Sequence, residues 1–103
     1  MTEIILRSPD ASKAATIIRS AIDKEITRLG KGAERALAQL KRFENKYQVS
    51  SSEFAERFTA EDLEGKDLEY VEWIGEYSLF QQLTEDLVVL ENLTYSVSEA
   101  HEA

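Results

Sequence analysis

The sequence predicts an all-α fold: a long antiparallel helical hairpin with a short helix at the bend and a short N-terminal extended arm, assembled as a dimer in a four-helix, coiled-coil arrangement. Three observations carry this. Eight of the nine aromatics fall between Phe43 and Phe80, in groups spaced three or four apart (43/47, 54/58, 70/73/77/80). That spacing sets each group on one helix face. A run of apolar residues from Ala15 to Tyr47 keeps the same spacing, and a second run does so from Trp73 to Leu90. At 103 residues, 43% hydrophobic and 31% charged, the chain fits a single helix-rich domain and is too apolar for disorder.

Residues 1–8 form the arm. Ile4-Ile5-Leu6 are adjacent β-formers, so residues 3–7 read as a strand. A lone strand is unstable, so this one needs a partner, for which the same segment of a second chain is a candidate. Ser8-Pro9-Asp10 then reads as a helix start, with serine at the cap and proline at the first helical position.

The long helix is predicted over 9–48. Its apolar positions are Ala15, Ile18, Ile22, Ile26, Leu29, Ala33, Ala36, Leu40, Phe43 and Tyr47. From Ile26 onward they alternate steps of three and four, the pattern of a heptad seam. Gly30 and Gly32 each cost about 1 kcal/mol in a helix interior relative to alanine. The seam keeps its phase across them, so one helix with a soft point is expected. At roughly 58 Å it is far too long for a compact domain, whose radius of gyration is about 13 Å. A second long helix must lie along the seam.

Ser50 and Glu53 have the spacing of a capping box, opening a short helix over 51–58 that brings Phe54 and Phe58 to the aromatic cluster. Residues 59–67 are polar, include Gly65 and read as a loop. The last helix, 67–93, carries Trp73, Tyr77, Phe80, Leu83, Leu87 and Leu90, with Val71, Ile74 and Val88 widening the stripe. Gly75 beside Trp73 would admit a bulky neighbour. In the tail, 94–103, Tyr95 and Val97 suit a short extended piece. Stripes wider than one seam on two helices of a small chain predict a homodimer.

Charge is unevenly placed. Residues 1–50 sum to +4 and residues 51–103 to −12, for a net −8. The halves therefore pair with each other or face different partners. The acidic half repels nucleic acid and suits a basic protein. Chemistry is scarce. There is no cysteine and one histidine, His101, so thiol catalysis and multi-histidine metal sites are excluded, and no nucleophilic triad or phosphate loop is present. No catalytic residue, metal, cofactor or small-molecule substrate is expected. Without a membrane-length apolar run or a signal sequence, a cytoplasmic protein is expected.

Glu69, Glu72 and Glu76 share a helix face. As a divalent-metal site they would need acids opposite, yet the first helix brings mostly Lys and Arg; a solvated acidic face is the common reading. The opening Glu3-Ile-Ile-Leu-Arg7 with Ser8-Pro9-Asp10 is similar, over about ten residues, to the entrance of a ribbon-helix-helix repressor. That similarity makes Arg7 the candidate nucleic-acid contact and an operator the candidate DNA.

Residues 40–90 carry a broader resemblance. Phe43-x-x-Lys46-Tyr47, Ser51-Ser52-Glu53-Phe54 with Arg57-Phe58, and Glu72-Trp73-x-Gly75-Glu76-Tyr77 resemble a set of small bacterial and archaeal proteins. These are often encoded beside a toxin of the TumE type and are treated as antitoxins. Gln48-Val49 stands where the set usually has Gly-Met. The resemblance implies a non-enzymatic, prokaryotic protein that binds and neutralises a co-encoded toxin. With it, Glu69, Glu72 and Glu76 and the aromatic edge at Tyr70 and Trp73 become the expected partner-binding residues. A structural or adaptor coiled coil is the alternative.

Overall fold

The computed structural model describes residues 3–57 and 68–100. In chain order the elements are β1 (Ile4–Ser8), α1 (Ala11–Tyr47), α2 (Ser51–Arg57), α3 (Leu68–Glu91) and β2 (Tyr95–Glu99). Phe58, the polar segment 59–67 and His101 lie outside the described residues. The two long helices alone hold more than half of the chain. The molecule is a rod, 63 × 23 × 22 Å, with a radius of gyration of 20.1 Å, which is the elongation that a 37-residue helix imposes.

α1 runs unbroken through Gly30 and Gly32. Every predicted seam residue from Ala15 to Tyr47 is at least half-buried, and Leu29, Ala33, Ala36, Leu40 and Phe43 are buried. α3 supplies the second helix, packed antiparallel. Lys46 meets Glu69 at one level of the hairpin, and Gly32 meets Leu83 lower down. A Cβ at Gly32 would sit 3.1 Å from Leu83 Cδ1, so this glycine lets the leucine approach the α1 backbone. Gly30 has nothing within 4 Å and no packing reason to be glycine. Gly75 likewise has nothing within 4 Å of its Cβ position, so no bulky neighbour meets it among the described residues.

The helices differ in length by 13 residues, 37 against 24. Counting along the pair from those two contacts, α3 ends level with Lys24. The start of α1 is therefore beyond its reach. β2 lies beside it instead, where Tyr95 and Val97 line a groove together with Ala15, Thr16 and Arg19. Asn92 follows the last residue of α3, its side-chain amide donating to the Val88 carbonyl at 2.8 Å, and β2 runs on in the same direction to reach Ala11 at Glu99.

Two sequence expectations bear on this pole. β1 is a strand, and it finds a partner within its own chain, pairing in parallel with β2, Ile4 beside Tyr95 through Ser8 beside Glu99. The hairpin returns the C-terminal segment to the N-terminal arm, which makes an intrachain partner available. The helix cap moves. Ser8 is the last strand residue, and Asp10 is the N-cap, its carboxylate accepting from the Lys13 N–H at 3.1 Å. Ser8 Oγ accepts from the Asp10 N–H, and Glu99 Oε1 reaches across from β2 to accept from the Ala11 N–H at 3.0 Å. Two carboxylates thus sit where the helix dipole favours negative charge.

Candidate functional site

The bend is built around Trp73. Its ring is wholly buried and stacks on Phe54 at 3.9 Å between centroids, with the planes 7° apart. Phe43 and Tyr47 stack with it at 5.5 Å. Tyr70 meets Tyr47 and Phe54 edge-on, at 5.5 and 5.3 Å. Offset and edge-to-face arrangements like these add roughly 0.5–1.5 kcal/mol per pair beyond burial. The predicted aromatic cluster is therefore real for all its described members: Leu40, Phe43, Phe54 and Trp73 form the core, and Tyr47, Tyr70, Tyr77 and Phe80 pack on it.

The chain is turned into this cluster by a left-handed residue. Gln48 has φ 55° and ψ 42°, and its N–H returns to the Glu44 carbonyl at 2.8 Å. The position strains any residue with a Cβ, and Gln48 offsets part of that by donating its side-chain amide to the Asn45 carbonyl at 2.6 Å. The Glu44 carboxylate then accepts the Ser51 N–H at 2.8 Å, and Ser50 Oγ accepts the Glu53 N–H at 3.1 Å, so Ser50 caps α2 as its spacing predicted.

The predicted site residues separate into three groups. Trp73 is interior and offers no surface, which corrects its place among the partner contacts: the cluster needs its ring at the centre. Glu69 accepts from Lys46 Nζ at 2.7 and 2.8 Å and from the Tyr47 hydroxyl at 2.5 Å. It therefore clasps α1 to α3 rather than lying on an outward acidic face. The hydrogen bond from Lys46, and then that from Tyr47, hold its carboxyl below the usual range against a smaller opposing effect of burial, while Glu69 raises Lys46. Glu72 is exposed and Glu76 half-buried, and neither makes a hydrogen bond or ion pair among the described residues. Arg7 lies at the far pole on β1, exposed, beside Ser98.

Sequence reasoning places Val71 and Val88 in the stripe that α3 buries and passes over Leu68, Leu79 and Val89; the structure corrects the first and adds the others, since all five side chains are exposed. Leu68 is 70% exposed, Val71 and Leu79 47%, Val88 59% and Val89 63%. Val71, Glu72, Ser78 and Leu79 are the i±3 and i±4 neighbours of Gly75. Gly75 has no side chain, and among the described residues nothing lies within 4 Å of its Cβ position, so bare backbone is exposed between these residues on the outer face of α3. α3 carries Glu69, Glu72, Glu76, Glu85, Asp86 and Glu91 but no lysine or arginine. The signal was present in the sequence, since apolar residues off the 3/4 stripe have no seam to fill.

Among the described residues no cluster of three metal-ligating side chains occurs, and no helix is long and apolar enough to cross a membrane. No family model, no curated protein and no solved structure matches the chain.

Proposed function

We propose that this chain is a non-catalytic, antitoxin-like protein that works as a homodimer and neutralises a co-encoded toxin by binding it on the outer face of α3. The observation that supports a binding role is the exposed apolar face of α3 around Gly75, with Leu68, Val71 and Leu79 open to solvent. An exposed apolar row on an all-acidic helix suits a protein surface that has an apolar projection ringed by Lys and Arg. Apolar contact would hold such a partner, and the charge would mainly speed its arrival. A toxin that acts on RNA has such a basic surface, since it must hold phosphate. That the partner is a toxin rests on the resemblance of residues 40–90. An adaptor role is the second reading, favoured by the 63 Å rod. Contact of Arg7 with an operator has less support, because the net charge is −8 and the paired strand ends in Glu99.

The test co-expresses the chain with the product of the neighbouring gene. Growth arrest by that product, relieved by this chain, is the expected result. Val71→Asp with Leu79→Asp should abolish the rescue through faster dissociation. Glu72→Gln with Glu76→Gln should slow association at low salt and flatten its salt dependence. Glu69 is left intact because its loss would disturb the α1–α3 clasp. A harmless neighbour favours the adaptor reading. Rescue that survives the two aspartates removes α3 as the binding face.

A further inference from the structure

β1 has two edges, and among the described residues only one is used. The Ala100 N–H donates to the Ser8 carbonyl at 2.9 Å, so the backbone groups of Ser8 turn toward β2. Backbone direction alternates along a strand, so Leu6 and Ile4 also turn toward β2. Ile5 and Arg7 turn their N–H and C=O groups to the open edge, in phase with Glu3 before them. Side chains alternate with the same period, which puts Glu3, Ile5 and Arg7 on one face and Ile4 and Leu6 on the other. All five are exposed, with Ile4 at 44%, Ile5 at 58% and Leu6 at 37%. An open edge carrying three large apolar residues is a template for another strand.

The order of residues selects the occupant. Glu3-Ile4-Ile5-Leu6-Arg7 is complementary to its own reverse: acid, three apolar residues, base. We propose that β1 pairs antiparallel with β1 of a second copy of this chain, about a two-fold axis at Ile5, closing a four-stranded sheet in the order β2–β1–β1–β2. In this register Glu3 lies opposite the partner's Arg7, Arg7 opposite the partner's Glu3, Ile5 opposite the partner's Ile5, and Ile4 opposite the partner's Leu6. The outward-turned backbone groups of residues 3, 5 and 7 then meet their own counterparts, as an antiparallel ladder requires. Centring on Leu6 keeps that phase but sets Arg7 against the partner's Ile5 and Glu3 against the partner's Pro9. Centring between residues sets outward groups against inward ones. The free edge of β2, Tyr95 to Glu99, has an acid at one end and no base at the other, so it has no such complement. The second copy thereby sits at the opposite end of the rod from the bend and leaves the outer face of α3 open.

Charge reversal with rescue tests the register. Sedimentation equilibrium at micromolar concentration should show a dimer of the 11.7 kDa chain. Glu3→Arg or Arg7→Glu alone sets like charges opposite each other twice and should raise the dimer Kd about tenfold. The double variant Glu3→Arg with Arg7→Glu restores both pairs and should return the Kd to the parent value. A second measurement does not depend on the ion pairs. The chain has no cysteine, and directly opposed, hydrogen-bonded strand residues lie about 5.5 Å apart at Cα, within disulfide reach. Ile5→Cys should therefore oxidise to a covalent dimer, whereas Ile17→Cys, equally exposed at 58% on α1, should not. A monomeric parent, a double reversal that fails to restore the dimer, or equal crosslinking at the two positions would overturn the proposal.

Discussion

The indole N–H of Trp73 donates to Ser51 Oγ at 2.8 Å, inside a cluster where the tryptophan is 0% and the serine 3% exposed. One hydroxyl from α2 thus satisfies the only polar atom of the ring about which the bend is packed. A buried donor left without a partner costs about 1–3 kcal/mol. Ser51→Ala should lower the thermal midpoint by several degrees, since about 1 kcal/mol corresponds to roughly 4–8 °C in a chain of this size. Trp73→Ala removes the stacking as well and should cost about 3–5 kcal/mol. Trp73→Phe combined with Ser51→Ala removes donor and acceptor together and should cost less than the sum of the single changes. Additive losses in a urea titration would mean that the bond contributes nothing.

The two glycines of α1 should respond oppositely to alanine. Gly30 faces open space, so Gly30→Ala should stabilise by about 1 kcal/mol through helix propensity alone. Gly32→Ala gains the same propensity but drives a Cβ to 3.1 Å from Leu83 Cδ1. The leucine must turn aside, and the net change should be near zero or unfavourable. Equal gains at both positions would show that Leu83 does not pack where it is seen.

Gln48 carries the left-handed bend at φ 55°, a conformation that costs a residue with a Cβ roughly 1–2 kcal/mol. Gln48→Gly removes that cost but also the amide bond to the Asn45 carbonyl. A net gain of up to about 1 kcal/mol should appear as a higher urea midpoint with an unchanged slope. A loss would mean that the side-chain bond outweighs the backbone strain.

The Lys46–Glu69–Tyr47 clasp makes stability depend on pH at both ends of the scale. The folded chain lowers the Glu69 carboxyl, so its contribution is present above the unfolded value of about 4.3 and is lost as the pH falls through the folded value. Lys46 is raised, so its contribution is present below about 10.4 and is lost as the pH rises through the folded value. Between these limits the clasp should be constant. The effect is small because both side chains remain partly in water. Glu69→Gln should bring the unfolding midpoints at about pH 3 and pH 7 closer together than in the parent. The same acid slope in both proteins would remove Glu69 as a contributor.

Much of the fold is legible in the sequence because helices advertise themselves locally. The 3/4 spacing from Ile26 to Tyr47 and from Trp73 to Leu90 depends only on which side chains share a face, and the structure buries or half-buries those seam residues as the spacing requires. The aromatic groups of α1, α2 and α3 meet for the same reason, since a hairpin bend between seams leaves them nowhere else to go. What tertiary structure decided are the pairings between distant residues. The strand Ile4–Ser8 shows its extended character in its own residues, but a ladder is made by backbone atoms, which are alike in every strand. Only the return of the chain along α3 put β2 beside it. Glu99 reached the Ala11 N–H by that same return. The acidic row divided on the same principle. Glu69, Glu72 and Glu76 look equivalent by spacing, but Lys46 and Tyr47 lie opposite the first alone, so one acid became a clasp. The aromatic spacing already marks Trp73 as a core residue of the cluster, and the structure adds what closes over it, three rings and a serine from two other helices. Periodicity is a property of neighbours in sequence, whereas partners are set by where the far ends of a rod come to rest.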